Sequence, residues 1–106
     1  MKDLIVDTLI IEDDRPAHIA KHNITIDEAL EVLISDYTYI SGRDNRWLLI
    51  GKTVKKRFIT IILGERSQRN TYGLVTVRPA RREERSFYLE YTTQQGGGDD
   101  DTYETR

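Results

Sequence analysis

The run Arg57 to Leu63 (RFITIIL) constrains the fold more than any other stretch. From Phe58 onward every side chain is apolar or β-branched, and turn-forming residues stand on both sides. Near-continuous apolar character over a short run belongs to a strand covered on both faces, so this strand is expected at the centre of a sheet. The rest of the chain must then supply neighbouring strands and a cover for each face.

The neighbours read out on either side. Tyr37 to Ser41 alternates, Gly42-Arg43-Asp44-Asn45 makes a turn, and Arg46 to Thr53 forms a second strand. Val54-Lys55-Lys56 connects to the central run, Gly64 to Asn70 (GERSQRN) is a polar loop, and Tyr72 to Arg78 is the last strand. Consecutive antiparallel hairpins are the economical topology. Upstream, Leu9 to Glu12 is expected as a short strand. Asp13 or Asp14 can cap a helix over Arg15 to His22 with Pro16 in its first turn, and Asn23 suits the left-handed stop. Thr25 with Glu28 spells a capping box for a second helix, whose Ile26, Ala29, Leu30 and Leu33 recur at helical spacing as its apolar face. The fold class is therefore α+β: two N-terminal helices, an antiparallel sheet of about four strands, and a C-terminal helix from Ala80 to about Thr92. Residues 1–92 make one domain. Residues 93–106 combine glycine and acidic runs without an apolar residue large enough to anchor them, apart from one tyrosine, so this tail is expected to be disordered.

Composition narrows the classes of function. Apolar residues make up 38% of the 106 and charged residues 32%, and no run approaches the roughly 20 apolar residues of a membrane span. Asp3 and Asp7 interrupt the stretch where a signal peptide needs continuous apolar character, so a cytoplasmic protein is expected. There is no cysteine, which excludes disulfides and zinc–thiolate sites. The net charge of −2 conceals a split, with −6 over residues 1–42 and +8 over residues 43–85. Such a basic stretch either presents an electrostatic footprint for an anionic partner or docks on the acidic half of its own chain.

The stretch Tyr72 to Tyr91 (YGLVTVRPARREERSFYLEY) concentrates the candidate chemistry. Strand alternation would turn Tyr72, Leu74, Thr76 and Arg78 to one side, and Pro79 should end the strand. On the following helix Arg81, Arg85 and Tyr88 fall on one stripe. His18 and His22 lie at metal-ligand spacing, but zinc needs further ligands and the H-E-x-x-H glutamate is absent, so no metal and no cofactor are expected. What remains is a metal-free set. RNA can be cleaved by its own 2′-hydroxyl, given a base, an acid and cations to hold the developing phosphorane charge. His22, Arg78, Arg85 and Tyr88 are the catalytic candidates, and Lys21, Arg46, Arg57 and Trp47 are the candidates for contacting RNA, Trp47 by stacking. Each also has an ordinary structural role open to it: Trp47 and Tyr88 as core rings, His22 as a helix terminator, the arginines as solvated surface.

The order of motifs adds a resemblance. IEDDRPAHIAKHNITIDEALEVL, then GRDNRWLLIGKT, then RFITIIL, then TVRPARREERSFY resembles the BrnT family of toxin-like proteins over about Leu9 to Tyr91. Lys21 and His22 match its basic–His helix end, Arg46 opens its second motif, and Arg78, Glu84, Arg85 and Tyr88 match its closing segment. The resemblance implies a RelE-like fold and a small metal-independent ribonuclease toxin, held inactive by a BrnA-type antitoxin in a type II module. The chain departs from the pattern in its overall acidity, in Pro79 and in the acidic tail. The alternative is a catalytically inactive module of the same fold that binds an antitoxin-like partner or forms a homodimer through its exposed sheet edge.

Overall fold

The computed structural model describes residues 4–96. Five strands form one sheet: β1 (Thr8–Ile10), β2 (Thr38–Ser41), β3 (Arg46–Lys52), β4 (Phe58–Glu65) and β5 (Thr71–Pro79), in the spatial order β1-β5-β4-β3-β2. Helices α1 (Arg15–Ala20) and α2 (Ile26–Leu33) lie between β1 and β2, and α3 (Arg82–Gly96) closes the chain. The α+β class is as the sequence implies, with β4 at the centre of the sheet.

Strands β2 to β5 are joined by successive antiparallel pairings, with Asp44 and Asn45 at positive φ (57° and 59°) in the first turn, a geometry that Asp and Asn tolerate best. Two features differ from the expected meander. The sheet has five strands, because β1 pairs parallel to β5 (Thr8 opposite Thr71, Ile10 opposite Gly73). A parallel partner 63 residues away leaves no turn signal in the sequence. Second, β5 carries a bulge. Leu63 pairs with Leu74 but Ile62 pairs with Thr76, so Val75 is extra and the alternation slips by one residue. Tyr72 and Leu74 still enter the core, but beyond the bulge Val77 takes the core place, leaving Thr76 and Arg78 out of it. The predicted single-sided row from Tyr72 to Arg78 is therefore broken at Val75.

The helical hairpin covers one face. Ile19, Ile24 and Val32 are fully buried against a sheet surface that includes Leu49, Ile59, Ile61, Leu63 and Val77. Each such side chain contributes about 1.5–3 kcal/mol relative to exposure. Asn23 takes φ 63° at the stop after α1, and the Thr25–Glu28 capping box is formed in both directions, at 3.2 and 3.0 Å. Two helical details correct the sequence reading. The Asp14 carboxylate does not cap α1 but pairs with Arg15 at 2.9 Å, and α1 ends at Ala20 rather than His22. In α2 the fully buried contacts are Ala29 and Val32, while Leu30 is 41% exposed. The second face is covered by α3, where Ile50 and Thr60 are fully buried and Tyr88 packs edge-on against Phe58. Helix α3 continues to Gly96, four residues into the expected tail, and residues 97–106 lie outside the described residues.

Gly51 marks the closest approach of α2 to the sheet, since a Cβ there would lie 2.8 Å from Val32 Cγ1. Val32 is β-branched and fully buried, so it has no room to yield. We expect Gly51→Ala to destabilise the fold by about 1–3 kcal/mol through overpacking, measured by urea unfolding; an unchanged midpoint would show that α2 rides higher on the sheet.

Candidate functional site

The predicted site residues fall into two groups at one end of the sheet and a third at the other. The first surrounds the turn after α1. Lys21 and His22 are exposed there, and the His22 ring stands edge-on to His18 with centroids 6.2 Å apart. His18 Nε2 shares a 3.1 Å hydrogen bond with Thr76 Oγ1, which ties α1 to β5 just past the bulge. On the same strand edge Arg15 donates to the Val75 carbonyl at 2.6 Å, so the bulge supplies an acceptor that holds the helix. Arg57 reaches the turn from its other side, donating to the Asn23 carbonyl at 2.5 Å and the His22 carbonyl at 3.4 Å, with Glu28 Oε2 also at 3.4 Å. Arg57 thereby fixes the backbone that carries His22. A groove of about 430 Å³ opens beside it, lined by Asn23, Thr25, Glu28, Glu31, Val54 and Arg57 among others.

The second group joins β4 and β5 to α3. Thr60 pairs with Arg78 across the sheet, and both converge on Glu84. Arg78 donates from Nη1 to Oε1 and from Nη2 to Oε2, both at 2.8 Å. Thr60 Oγ1 donates to Oε1 at 2.8 Å, and the Arg81 backbone N–H donates to the same oxygen at 2.7 Å. The side chains of Arg78 and Glu84 are only 17% and 12% exposed. Burial alone would raise the Glu84 pKa, but the hydrogen bonds from Arg78, the Arg81 N–H and Thr60 outweigh it and hold the carboxyl at about 2. The same pairing raises the pKa of Arg78. Tyr88, one helical turn beyond Glu84, is 6% exposed, and burial, with Asp36 and Tyr91 nearby, raises its pKa, so its hydroxyl keeps its proton at neutral pH. The two groups share one end of the sheet, because the carbonyl of Phe58, the residue after Arg57, accepts from the Ala80 N–H, two residues after Arg78.

Three sequence expectations change here. The inward stripe of α3 runs through Glu84 and Tyr88, while Arg81 and Arg85 are exposed, because a step of one residue turns a helical side chain about 100°. Trp47 is 8% exposed and its Nε1 donates to Glu65 Oε2 at 2.8 Å, so the indole is a core ring and is not presented for stacking. Arg46 is exposed but opens β3, six residues and roughly 20 Å along the strand from Lys52, at the far end of the sheet from Arg57 and Arg78. Glu84 is the residue whose importance the sequence understated. Its signal was its position: three residues after Arg81 at the start of a helix, where a glutamate reaches back to a free backbone N–H. Among the described residues no three His, Cys, Asp or Glu side chains gather as metal ligands would, and no helix is long and apolar enough to cross a membrane.

Among solved structures, the 1.1 Å crystal structure of the ribonuclease toxin BrnT from Brucella abortus superimposes with a TM-score of 0.56. The match covers 71% of this chain and 97% of that one, at 18% sequence identity. The chain has a BrnT-like fold. At this identity the likeness is one of fold. No family model matches the sequence, and no curated protein does. Within this fold the helical hairpin and α3 cover opposite faces of the sheet and approach the same end of it.

The depressed Glu84 pKa carries a pH signature. A carboxylate held below its ordinary value stabilises the fold above about pH 4.5, and that stability is lost as pH falls toward 2. Glu84→Gln should cost on the order of 3 kcal/mol at pH 7, and should flatten the loss of stability between pH 4.5 and 2 measured by denaturant unfolding. An unchanged acid limb in the variant would remove Glu84 as its source.

Proposed function

We propose that this protein is a BrnT-type toxin: an endoribonuclease that cleaves RNA without a metal ion and is held inactive by an antitoxin-like partner protein. The observation that carries the reading is the fold match to a ribonuclease toxin across 97% of that toxin's length. The ordered motifs add support, because Lys21 and His22 from the first and Arg78 and Glu84 from the last lie toward one end of the sheet, while Arg46 of the second lies at the other.

In this reading the 2′-hydroxyl of the RNA attacks the adjacent phosphorus and the 5′-oxygen leaves. His22, exposed and carried on a backbone that Arg57 fixes, exchanges protons with the 2′-hydroxyl or the leaving oxygen. Lys21 beside it and Arg85 on α3 meet the phosphate, because both are exposed and neither forms a side-chain ion pair among the described residues. Arg78 is occupied by Glu84, so it takes part by setting the attachment of α3 rather than as an open clamp. Tyr88 keeps its proton and would serve as an acid only if RNA reached its buried hydroxyl. Arg46 lies too far along β3 to join this group and would contact RNA only beyond the scissile phosphate.

A second reading has its own support. With Arg78 paired and Tyr88 packed on Phe58, two of the four catalytic candidates hold the fold together. A chain in which that is their whole role would be an inactive BrnT-like module acting through protein contacts, with a partner or a second copy.

The test is cleavage of RNA by purified protein in EDTA. We expect wild-type cleavage, a loss on the order of 10²-fold or more for His22→Ala, a comparable loss for Arg85→Ala, and unchanged melting for both, since both side chains are exposed. Absence of wild-type cleavage, or rates indifferent to both substitutions, would favour the inactive module.

A further inference from the structure

We propose that His18 is a second catalytic residue: the base that takes the proton of the RNA 2′-hydroxyl, while His22, four residues on, protonates the departing 5′-oxygen. The assignment rests on the nuclease reading and supplies what that reading lacks. Cleavage by the 2′-hydroxyl moves two protons on opposite sides of the reacting phosphate, and the exposed His22 can serve only one of them at a time. Tyr88 is buried against Phe58 and Arg78 is held by Glu84, so neither stands open to serve the other. The chain has one further imidazole, and it is His18.

The geometry suits such a pair. The two rings stand edge-on with centroids 6.2 Å apart. In an in-line displacement the attacking and leaving oxygens lie on opposite sides of phosphorus, so groups that reach them by hydrogen bonds of about 2.6–3.2 Å must be near one another without touching. His18 is half-buried and anchored, with its Nε2 3.1 Å from Thr76 Oγ1 on β5. With Nε2–H donating to that oxygen, the lone pair stands on Nδ1, which has no hydrogen-bond partner among the described residues. An imidazole with one nitrogen tied and the other free is arranged to accept a proton, and the hydrogen bond sets which nitrogen that is. The His22 ring is exposed and likewise has no hydrogen-bond partner among the described residues, so it takes its proton from water. In the step itself the 2′-hydroxyl proton passes to His18 Nδ1, the bond from O2′ to phosphorus forms and the bond from phosphorus to O5′ breaks. His22 gives its proton to O5′, leaving a 2′,3′-cyclic phosphate and a 5′-hydroxyl, and both rings then exchange protons with water. The histidine spacing that lacks partners for a metal thus fits a proton-transfer pair.

The test compares the wild type, His18→Gln and His22→Ala in EDTA on two RNAs: one that the wild type cleaves, and the same RNA with sulfur replacing the bridging 5′-oxygen at the cut. A thiolate leaves without being protonated, so sulfur relieves the loss of an acid but not the loss of a base. His18→Gln should lose on the order of 10²-fold or more on both RNAs, whereas His22→Ala should lose as much with oxygen and recover with sulfur. The glutamine amide can keep the hydrogen bond to Thr76 but cannot exchange protons, so His18→Gln should melt as the wild type does. A His18 that only ties α1 to β5 would leave this variant active. Thr76→Val keeps the imidazole, removes its acceptor and should lower the rate severalfold with the same cyclic phosphate product. Wild-type rates in His18→Gln or in Thr76→Val, or a His18→Gln loss that sulfur relieves, would overturn the proposal while the nuclease reading stands. No cleavage of any RNA by the wild type would end both.

Discussion

The carboxylate of Glu84 gathers Arg78, Thr60 and the backbone N–H of Arg81, the residue before α3, into one arrangement, and the second face of the sheet depends on it. α3 has little amphipathic character of its own: its first turn is Arg82, Glu83, Glu84 and Arg85, and Phe87 and Leu89 remain partly in water. Tyr88 alone is a modest hydrophobic attachment. Placing an ionised acid against Thr60, buried near the start of the central strand, would cost several kcal/mol if it lacked donors; here each carboxylate oxygen receives one arm of the arginine fork, so the charge is compensated where it sits. The geometry of this pairing sets where α3 starts and which of its faces turns inward, and hence which arginines are left for solvent.

The sequence expressed what is local. The capping box at Thr25 and Glu28, the left-handed stop at Asn23 and the Asp44-Asn45 turn are each decided by residues within four positions of one another, and all formed. The central place of β4 was legible because a run as short and as continuously apolar as RFITIIL finds cover on both faces only in the middle of a sheet. What was not legible depends on distant partners. Whether β1 joins the sheet is decided by its pairing with β5, and the bulge at Val75 by how Leu74 and Val77 both reach one core. The α2 face misread for the same reason: periodicity admits both Leu30 and Val32, and only the close approach at Gly51 selects Val32. For the candidate site, the sequence left open whether Trp47 and Tyr88 are core rings, because burial, which makes them so, is a property of the whole fold.

The charge split along the chain is partly taken up within the fold. Arg57 with Glu28 and Arg66 with Glu12 join the basic second half to the acidic first half, each at 3.4 Å. Long, partly exposed pairs of this kind contribute little to stability, about 0–1 kcal/mol each, and their effect is to place backbone: Arg57 the turn bearing His22, Arg66 the loop before α1. Gly73 makes the second possible, since a Cβ there would collide with the Arg66 guanidinium. Arg85, Lys21 and Arg46 remain exposed and form no side-chain ion pairs among the described residues, so part of the positive charge is neutralised internally and part is left facing outward.

This division bears on how an anion would be received. A phosphate approaching Arg78 must displace a carboxylate whose two oxygens already take four donors, leaving Glu84 charged, buried and without its main counter-ion. The gain of one arginine–phosphate contact does not offset that, because breaking a buried pair costs about 3–5 kcal/mol and a charge-assisted hydrogen bond returns roughly 1.5–3. Phosphate contact through Arg85, Lys21 or the His22 turn carries no such penalty. If RNA engages Arg78 at all, it must do so with α3 partly released from the sheet, which would couple substrate binding to the packing of Tyr88 on Phe58. The fold therefore separates the arginine that builds the end of the sheet from the cations available to act there.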